Sequence, residues 1–160
     1  MLAVGALSLM LARALPAQDP MGLAVGTKAP GALVQTLDGK RVDLSSYFGK
    51  GPVMLEFWAL WCGNCKELEP QLKALTAKYA GTVTFVSVAV SVNESPERVK
   101  RYAAKYGLTQ KLLFDTDGAA TDAYSAPATS YVVVVDRAGK IVYTGLGGEQ
   151  KLEEAVQKGM

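Results

Sequence analysis

Cys62 and Cys65 are the only cysteines in the 160-residue sequence, and they stand three positions apart. On a helix that spacing puts the two Cα atoms about 5–6 Å apart, within the range a disulfide bridges. Such a pair can open and close with little backbone motion, so its chemistry would be dithiol–disulfide exchange. If the pair opens a helix, the Cys62 sulfur meets the unpaired N–H groups and the positive dipole end. A thiolate is favoured there, which makes Cys62 the nucleophile. Cys65, one turn further in, is expected to be more buried and more protonated, and suits the resolving role. Two inert readings stand beside this one: a structural disulfide, and half of a metal site shared between two chains.

The remaining composition narrows the field. The sequence has no histidine, which excludes Ser-His-Asp catalysis, Cys-His proteases and His-ligated zinc. Two cysteines cannot build a metal site of four thiolates in one chain. No metal site and no cofactor are expected. The formal net charge is +2, from 17 basic and 15 acidic residues, and no basic run exceeds two residues. Nothing therefore points to nucleic acid or an anionic membrane surface as a partner. Hydrophobic residues at 49% and charged residues at 20% suit one globular α/β domain with a real core.

The elements that must position the cysteines can be read around them. Val53 to Ala59 is a buried strand, apolar except for Glu56. A helix begins at the cysteines and runs to about Tyr79, with Leu68, Leu72, Leu75 and Tyr79 on one face and Pro70 inside it. Upstream, Ala32–Leu37 and Arg41–Leu44 flank Asp38-Gly39 as a hairpin. Downstream, Val83–Val90 is a second buried strand. Ser95-Pro96 then starts a helix whose inner face is Val99, Tyr102, Ala103 and Tyr106. A short strand at Leu112–Phe114 and a helical turn at Ala119–Tyr124 follow. A last hairpin, Tyr131–Val135 with Ile141–Thr144, leads to a final helix over Glu149–Lys158. Strands alternating with helices predict an α/β three-layer sandwich: a central mixed sheet, helices on both faces and an N-terminal hairpin extension.

Met1 to Leu15 is almost wholly apolar and too short for a membrane span, so residues 1–17 read as a cleaved signal peptide. No Lys or Arg precedes the apolar run. Residues 18–28 read as a linker and 29–160 as the folded domain. Export to a periplasmic or secreted location follows, with no membrane span in the mature chain.

Phe57-Trp58-Ala59-Leu60-Trp61-Cys62-Gly63-Asn64-Cys65-Lys66 resembles the active-site segment of thioredoxin-like proteins, and Pro70 matches the proline of their active-site helix. Gly26-Thr27-Lys28-Ala29-Pro30, Leu37-Asp38-Gly39-Lys40, Leu44 and Gly49 resemble the redoxin branch, which includes TlpA/ResA-type periplasmic proteins and peroxiredoxins. Asp136-Arg137-Ala138-Gly139-Lys140-Ile141 resembles the family's last hairpin. The resemblance covers about residues 26–158. It implies a thioredoxin-like fold and an exported thiol–disulfide oxidoreductase that reduces protein disulfides through Cys62 and Cys65. Its partners would be protein disulfides and a membrane or soluble thiol electron donor.

Three departures from the family matter. Gly63-Asn64 replaces the usual Gly-Pro, and uncharged Asn64 implies a milder oxidant than relatives with His there. Glu56 stands where thioredoxin has aspartate; a buried carboxylate has a raised pKa, and this one is read as the proton acceptor for Cys65. The slot of the family's cis-proline holds Ser130, with Pro127 three residues earlier. Thr129-Ser130 is taken to face the cysteines, and the alternative is a rearranged loop in which Pro127 fills the role. Trp61, Gly63, Asn64, Thr129, Ser130 and Pro127 are the expected substrate contacts. Of Trp58 and Trp61, one is read as core and the other as substrate surface. Glu67, Glu69 and the charged 94–101 segment read as solvated, and Tyr102 and Tyr106 as core.

Two other functions compete. A peroxiredoxin-like thiol peroxidase would carry Thr or Ser three residues before Cys62, where this chain has Ala59, and usually Arg at the Ser130 slot. A metal- or cluster-binding thioredoxin-fold protein would share an ion between the cysteines of two chains.

Overall fold

Asp38 and Gly39 turn the chain back on itself, and β1 (Leu33–Thr36) pairs antiparallel with β2 (Arg41–Asp43), Val34 opposite Val42. The computed structural model describes residues 22–160. The signal-peptide reading of 1–17 and the first part of the 18–28 linker lie outside the described residues. The described part of that linker runs beside the last hairpin: Gly26 N–H donates to Ile141 O at 2.7 Å and Ile141 N–H to Thr27 O at 2.9 Å. A short 3-10 turn over Leu44–Tyr47, not expected from the sequence, follows β2 and is capped by the Asp43 side chain.

The central strand is β3 (Val53–Trp58), all six residues buried. It leads into α1 (Gly63–Lys78), which holds Pro70 within it. β4 (Thr84–Val90) returns parallel to β3. Next come α2 (Pro96–Tyr106), β5 (Lys111–Asp115), parallel to β4, and α3 (Ala119–Ala123). β6 (Tyr131–Val135) and β7 (Ile141–Gly145) form the last hairpin, and α4 (Leu152–Gln157) closes the domain. The seven strands lie in the order β2-β1-β5-β4-β3-β6-β7, with β6 antiparallel to β3 and β1 antiparallel to β5. This is the mixed-sheet α/β sandwich of thioredoxin-like type that the sequence predicts.

Alternation along each strand sorts the core into two faces. Met54, Phe85, Val132 and Val134 pack against Leu68, Leu72 and Leu75 of α1 and Leu152, Ala155 and Val156 of α4. Farther along the same face, Trp58, Ala89 and Phe114 meet Cys65 of α1 and Val99 of α2. The opposite face buries Val53, Leu55, Phe57, Val88 and Val133 under Ala120 and Tyr124 around α3 and Leu44 of the 3-10 turn. Each large apolar side chain so buried contributes about 1.5–3 kcal/mol.

Local signals set the helix ends. The Ser95 side chain accepts from Arg98 N–H, Pro96 takes the first turn, and Gly107 stops α2 at φ +64°, a left-handed value suited to glycine. Two expectations need correction. Tyr106 is not core but exposed, leaning on the Tyr102 ring at 4.4 Å, because the last turn of α2 leaves Val99 as that helix's only fully buried side chain. The final helix starts at Leu152 rather than Glu149. Gln150 turns its side chain inward, donating to Ser130 O and Gly147 O, which holds residues 149–151 out of helical geometry.

The loop before β6 carries the fold's least ordinary backbone. No peptide bond among the described residues is cis, that before Pro127 included, and Ser130 adopts φ +70°. That value costs a non-glycine residue about 1–2 kcal/mol. Three bonds fix it: Ser130 N–H donates to Phe57 O at 2.7 Å, Ser130 Oγ accepts from Gly147 N–H at 3.1 Å, and Ser130 O accepts from Gln150 Nε2 at 2.9 Å. Proline can neither take this φ nor donate that bond. Ser130→Pro is therefore expected to lose about 3 kcal/mol or more in urea denaturation; a variant as stable as its parent would contradict this account of the loop.

Candidate active site

The site is built where β3 ends and α1 begins. Cys62 is the N-cap of α1, with extended backbone, and its Sγ accepts from Cys65 N–H at 3.1 Å. The two sulfurs are joined in a disulfide with Cα atoms 5.3 Å apart, inside the range the helical spacing predicts. One difference from expectation is plain: each cysteine is 5% exposed, so exposure does not rank them. Their surroundings do. Cys62 sits at the open helix end, where N–H groups and the dipole stabilise a thiolate. Cys65 lines a small cavity together with Glu56, Trp58 and Glu69.

Glu56 projects from the middle of β3 onto the face that α1 covers. It is 4% exposed, and its Oε2 accepts from the Ser87 hydroxyl of β4 at 3.0 Å. Ser87 in turn accepts from Gln110 Nε2 at 3.3 Å. Burial pushes the Glu56 carboxyl up to about 7; the Ser87 bond opposes the rise, and the charge of Glu69 adds to it. A carboxyl poised near neutrality beside a buried sulfur can take and return a proton at physiological pH.

The two tryptophans divide as the sequence suggests, Trp58 buried and Trp61 49% exposed. Gly63 and Asn64 lie exposed on the first turn of α1. Trp61, Pro127 and Thr129 line one cleft of about 300 Å³, with Phe57 and Val92 among its apolar walls. Ser130 is not among the lining residues; it is wholly buried and its side chain is committed to Gly147. A larger hollow of about 670 Å³, lined by Lys50, Thr84 and Lys111 among others, lies at the other end of β3 and β4 without cysteine or carboxylate. Among the described residues no cluster of three or more Cys, Asp or Glu could hold a metal.

Glu94 needs correction and was missed as a site residue. The charged 94–101 segment reads as solvated, yet the Glu94 side chain is wholly buried. Its Oε2 accepts from Leu60 N–H at 2.7 Å, and its Oε1 lies 3.0 Å from Arg98 Nη1, a charge pairing rather than a well-directed hydrogen bond. Beside it, Trp61 Nε1 donates to Val92 O at 2.8 Å. The β4–α2 loop thus holds the Leu60-Trp61-Cys62 turn from outside. No sequence signal points to this, because both partners on the turn are 31 or more residues away and two of the bonding groups are backbone.

Comparison with known proteins agrees with this geometry. The family model described as Redoxin matches residues 24–158. The thiol-disulfide oxidoreductase ResA of Bacillus subtilis is 34% identical over 117 residues, covering 73% of this chain and 64% of that protein, just under two thirds of its length. A ResA of Bacillus cereus is 30% identical over 142 residues, covering 88% of this chain and 81% of its own. Among solved structures, a candidate thiol:disulfide interchange protein DsbE from Chlorobium tepidum superposes with a TM-score of 0.73 at 28% identity, over 85% of this chain and 94% of that one. With a closed Cys-x-x-Cys pair at the mouth of α1 and a match spanning nearly every described residue, the chain belongs to the Redoxin family, on the thioredoxin-like fold and beside its ResA-type thiol–disulfide oxidoreductases.

Proposed function

We propose that this protein is exported and reduces disulfides in polypeptide substrates by cycling the Cys62–Cys65 pair. One observation carries the reading: the two sulfurs of a single bond have unlike surroundings, Cys62 at the helix mouth and Cys65 beside the buried Glu56. The Cys62 thiolate attacks the substrate disulfide and forms a mixed disulfide. Glu56 accepts the Cys65 proton, and the Cys65 thiolate then attacks the Cys62 sulfur, which releases reduced substrate and closes the pair. Trp61, Gly63 and Asn64 present the surface around the sulfurs. The substrate chain lies along the cleft of Pro127 and Thr129, with Ser130 buttressing that loop from beneath. An electron donor, a membrane protein or a soluble thiol, reopens the pair. The apolar stretch from Met1 to Leu15 supports export. No helix among the described residues is long and apolar enough to cross a membrane.

Redox titration against glutathione tests the direction of exchange. A potential well below that of glutathione is expected, and one near the strong oxidants would reverse the assignment. Cys62→Ser should abolish exchange, whereas Cys65→Ser should trap the mixed disulfide, visible as an added mass by intact-protein spectrometry. Glu56→Gln should slow release of the mixed disulfide by about 100-fold or more and leave its formation nearly unchanged. Equal release rates in variant and parent would remove Glu56 from the mechanism.

The same carboxyl ties stability to pH. Its folded value, about 7, lies above the ordinary 4.5, so between these the folded state holds more protons than the unfolded one. Stability of the oxidised protein should fall as pH rises through that window, by roughly 3 kcal/mol in all. Urea denaturation at the two ends measures the fall, and Glu56→Gln should abolish most of it.

A further inference from the structure

Glu69 reads as a solvated residue in the sequence, but the fold draws it in. Its side chain is 19% exposed, and it lines the same small cavity as Glu56 and Cys65. Two contacts anchor it. The Tyr102 hydroxyl of α2 donates to Oε2 at 2.8 Å, and Lys73 Nζ, one turn along α1, lies 3.0 Å from Oε1. Burial and the bond to Glu69 hold Tyr102 protonated well beyond its ordinary range, so it remains a donor. The cavity offers about 10 Å³ to the centre of a water molecule, close to the room that one water needs. Trp58, Leu72, Leu108 and Gln110 complete its wall, and the buried Trp58 Nε1 and Gln110 Oε1 have no protein partner. The space is thus confined, with apolar and polar walls, and shared by two carboxylates and a sulfur.

Like charges in one poorly solvated site push protons onto one of the pair. Of the two, Glu69 reaches solvent and lies beside Lys73, whereas Glu56 is buried. Glu56 is bonded to Ser87 of β4, lies opposite Val132 of β6 in the sheet, and shares the cavity with Gln110 ahead of β5 and with Cys65 and Glu69 of α1. Lys73 and Tyr102 stand behind Glu69. Glu69 is therefore the second carboxylate sharing the cavity with Glu56.

We propose that Glu69 is a positioning residue for proton transfer: its anchored carboxylate, set in the same cavity, assists Glu56 in taking the Cys65 proton. This rests on the assignment of Glu56 as acceptor. In the step concerned, the Cys65 S–H proton passes to a Glu56 oxygen and the Cys65 thiolate attacks the Cys62 sulfur. The Cys62–Cys65 bond forms, the bond from Cys62 to the substrate sulfur breaks, and the substrate thiolate leaves and takes a proton from solvent. Over the whole exchange the pair gives two electrons to the substrate disulfide. Glu69 itself neither gains nor loses a bond.

The test is the pH profile of mixed-disulfide release, with glutathione disulfide as the probe and reduced protein in single turnover. In the parent, release should rise with pH through an inflexion near 7. Glu69→Gln keeps the size of the side chain and an acceptor for Tyr102 but removes the charge. It should move the inflexion acidward by roughly half a unit or more and lower the alkaline plateau by about threefold, because a weaker base transfers the proton less well. Glu69→Ala should shift the inflexion the same way. Carboxyl-carbon NMR of Glu56 in the oxidised variants reads the same shift without kinetics and reports folding through its signal dispersion. An inflexion unmoved in both variants, but abolished by Glu56→Gln, overturns the role of Glu69 alone. An inflexion that survives Glu56→Gln overturns the assignment of Glu56 and this inference with it.

Discussion

The Cys65 N–H points at the Cys62 sulfur, and the fold is arranged to keep that contact. It exists because Cys62 caps α1 in extended geometry, one short turn after a strand buried on both faces. A helix start leaves its first N–H groups unpaired; here a sulfur takes the place usually held by a Ser, Thr, Asp or Asn oxygen. The same contact serves as cap in the folded chain and as stabilising field for a thiolate. Leu60 and Trp61, the residues of the turn, are pinned from the β4–α2 loop by Glu94 and the Val92 carbonyl. The cap is thus held from the sheet, from the helix and from a third segment.

Glu56 shows a second constraint, in which stability is given up locally. A carboxylate in the middle of a central strand loses most of its hydration, and one bond from Ser87 does not restore it. An apolar residue there would suit the core better. The surrounding apolar face, from Met54 through Phe85 to Leu68, offsets the cost and holds the carboxyl near neutrality. The small cavity that adjoins it brings Cys65, Glu56 and Glu69 to one pocket, walled in part by Leu72 and Leu108. Glu69 joins them because α2 packs on the same face of the sheet as α1 and brings Tyr102 to it.

The loop that faces the cleft is secured without a cis-proline. Ser130 takes a left-handed backbone and gives its N–H to β3 and its hydroxyl and carbonyl to Gly147 and Gln150 of the β7–α4 loop. Those bonds compensate the strain of the conformation. They also explain why the last helix starts late, since Gln150 is held inward rather than continuing the helical turn.

Much of this was written locally. The Cys-x-x-Cys spacing, the apolar run from Val53, the Leu68-Leu72-Leu75 stripe, the Ser95-Pro96 start and the Asp38-Gly39 turn each specify their element through neighbours a few residues apart, and all of those elements form. The sequence also singled out Glu56, because one charge inside an apolar strand has no bland place to go. What it left undecided depends on contacts between distant segments. Glu94 and Glu69 look like ordinary charges until the sheet brings α2 and the β4–α2 loop against the cysteine turn. Tyr106 follows the helical period but lies beyond the part of α2 that the core covers. The backbone of Ser130 answers to groups 17 and 20 residues away. By itself, then, the sequence determined most of the strands and helices and placed the two cysteines within bonding reach, since periodicity, capping and spacing act over one or two turns of chain. Only the tertiary structure decided which carboxylates share the cavity with Cys65, because desolvation and charge coupling depend on what is packed alongside, not on what is adjacent in the chain.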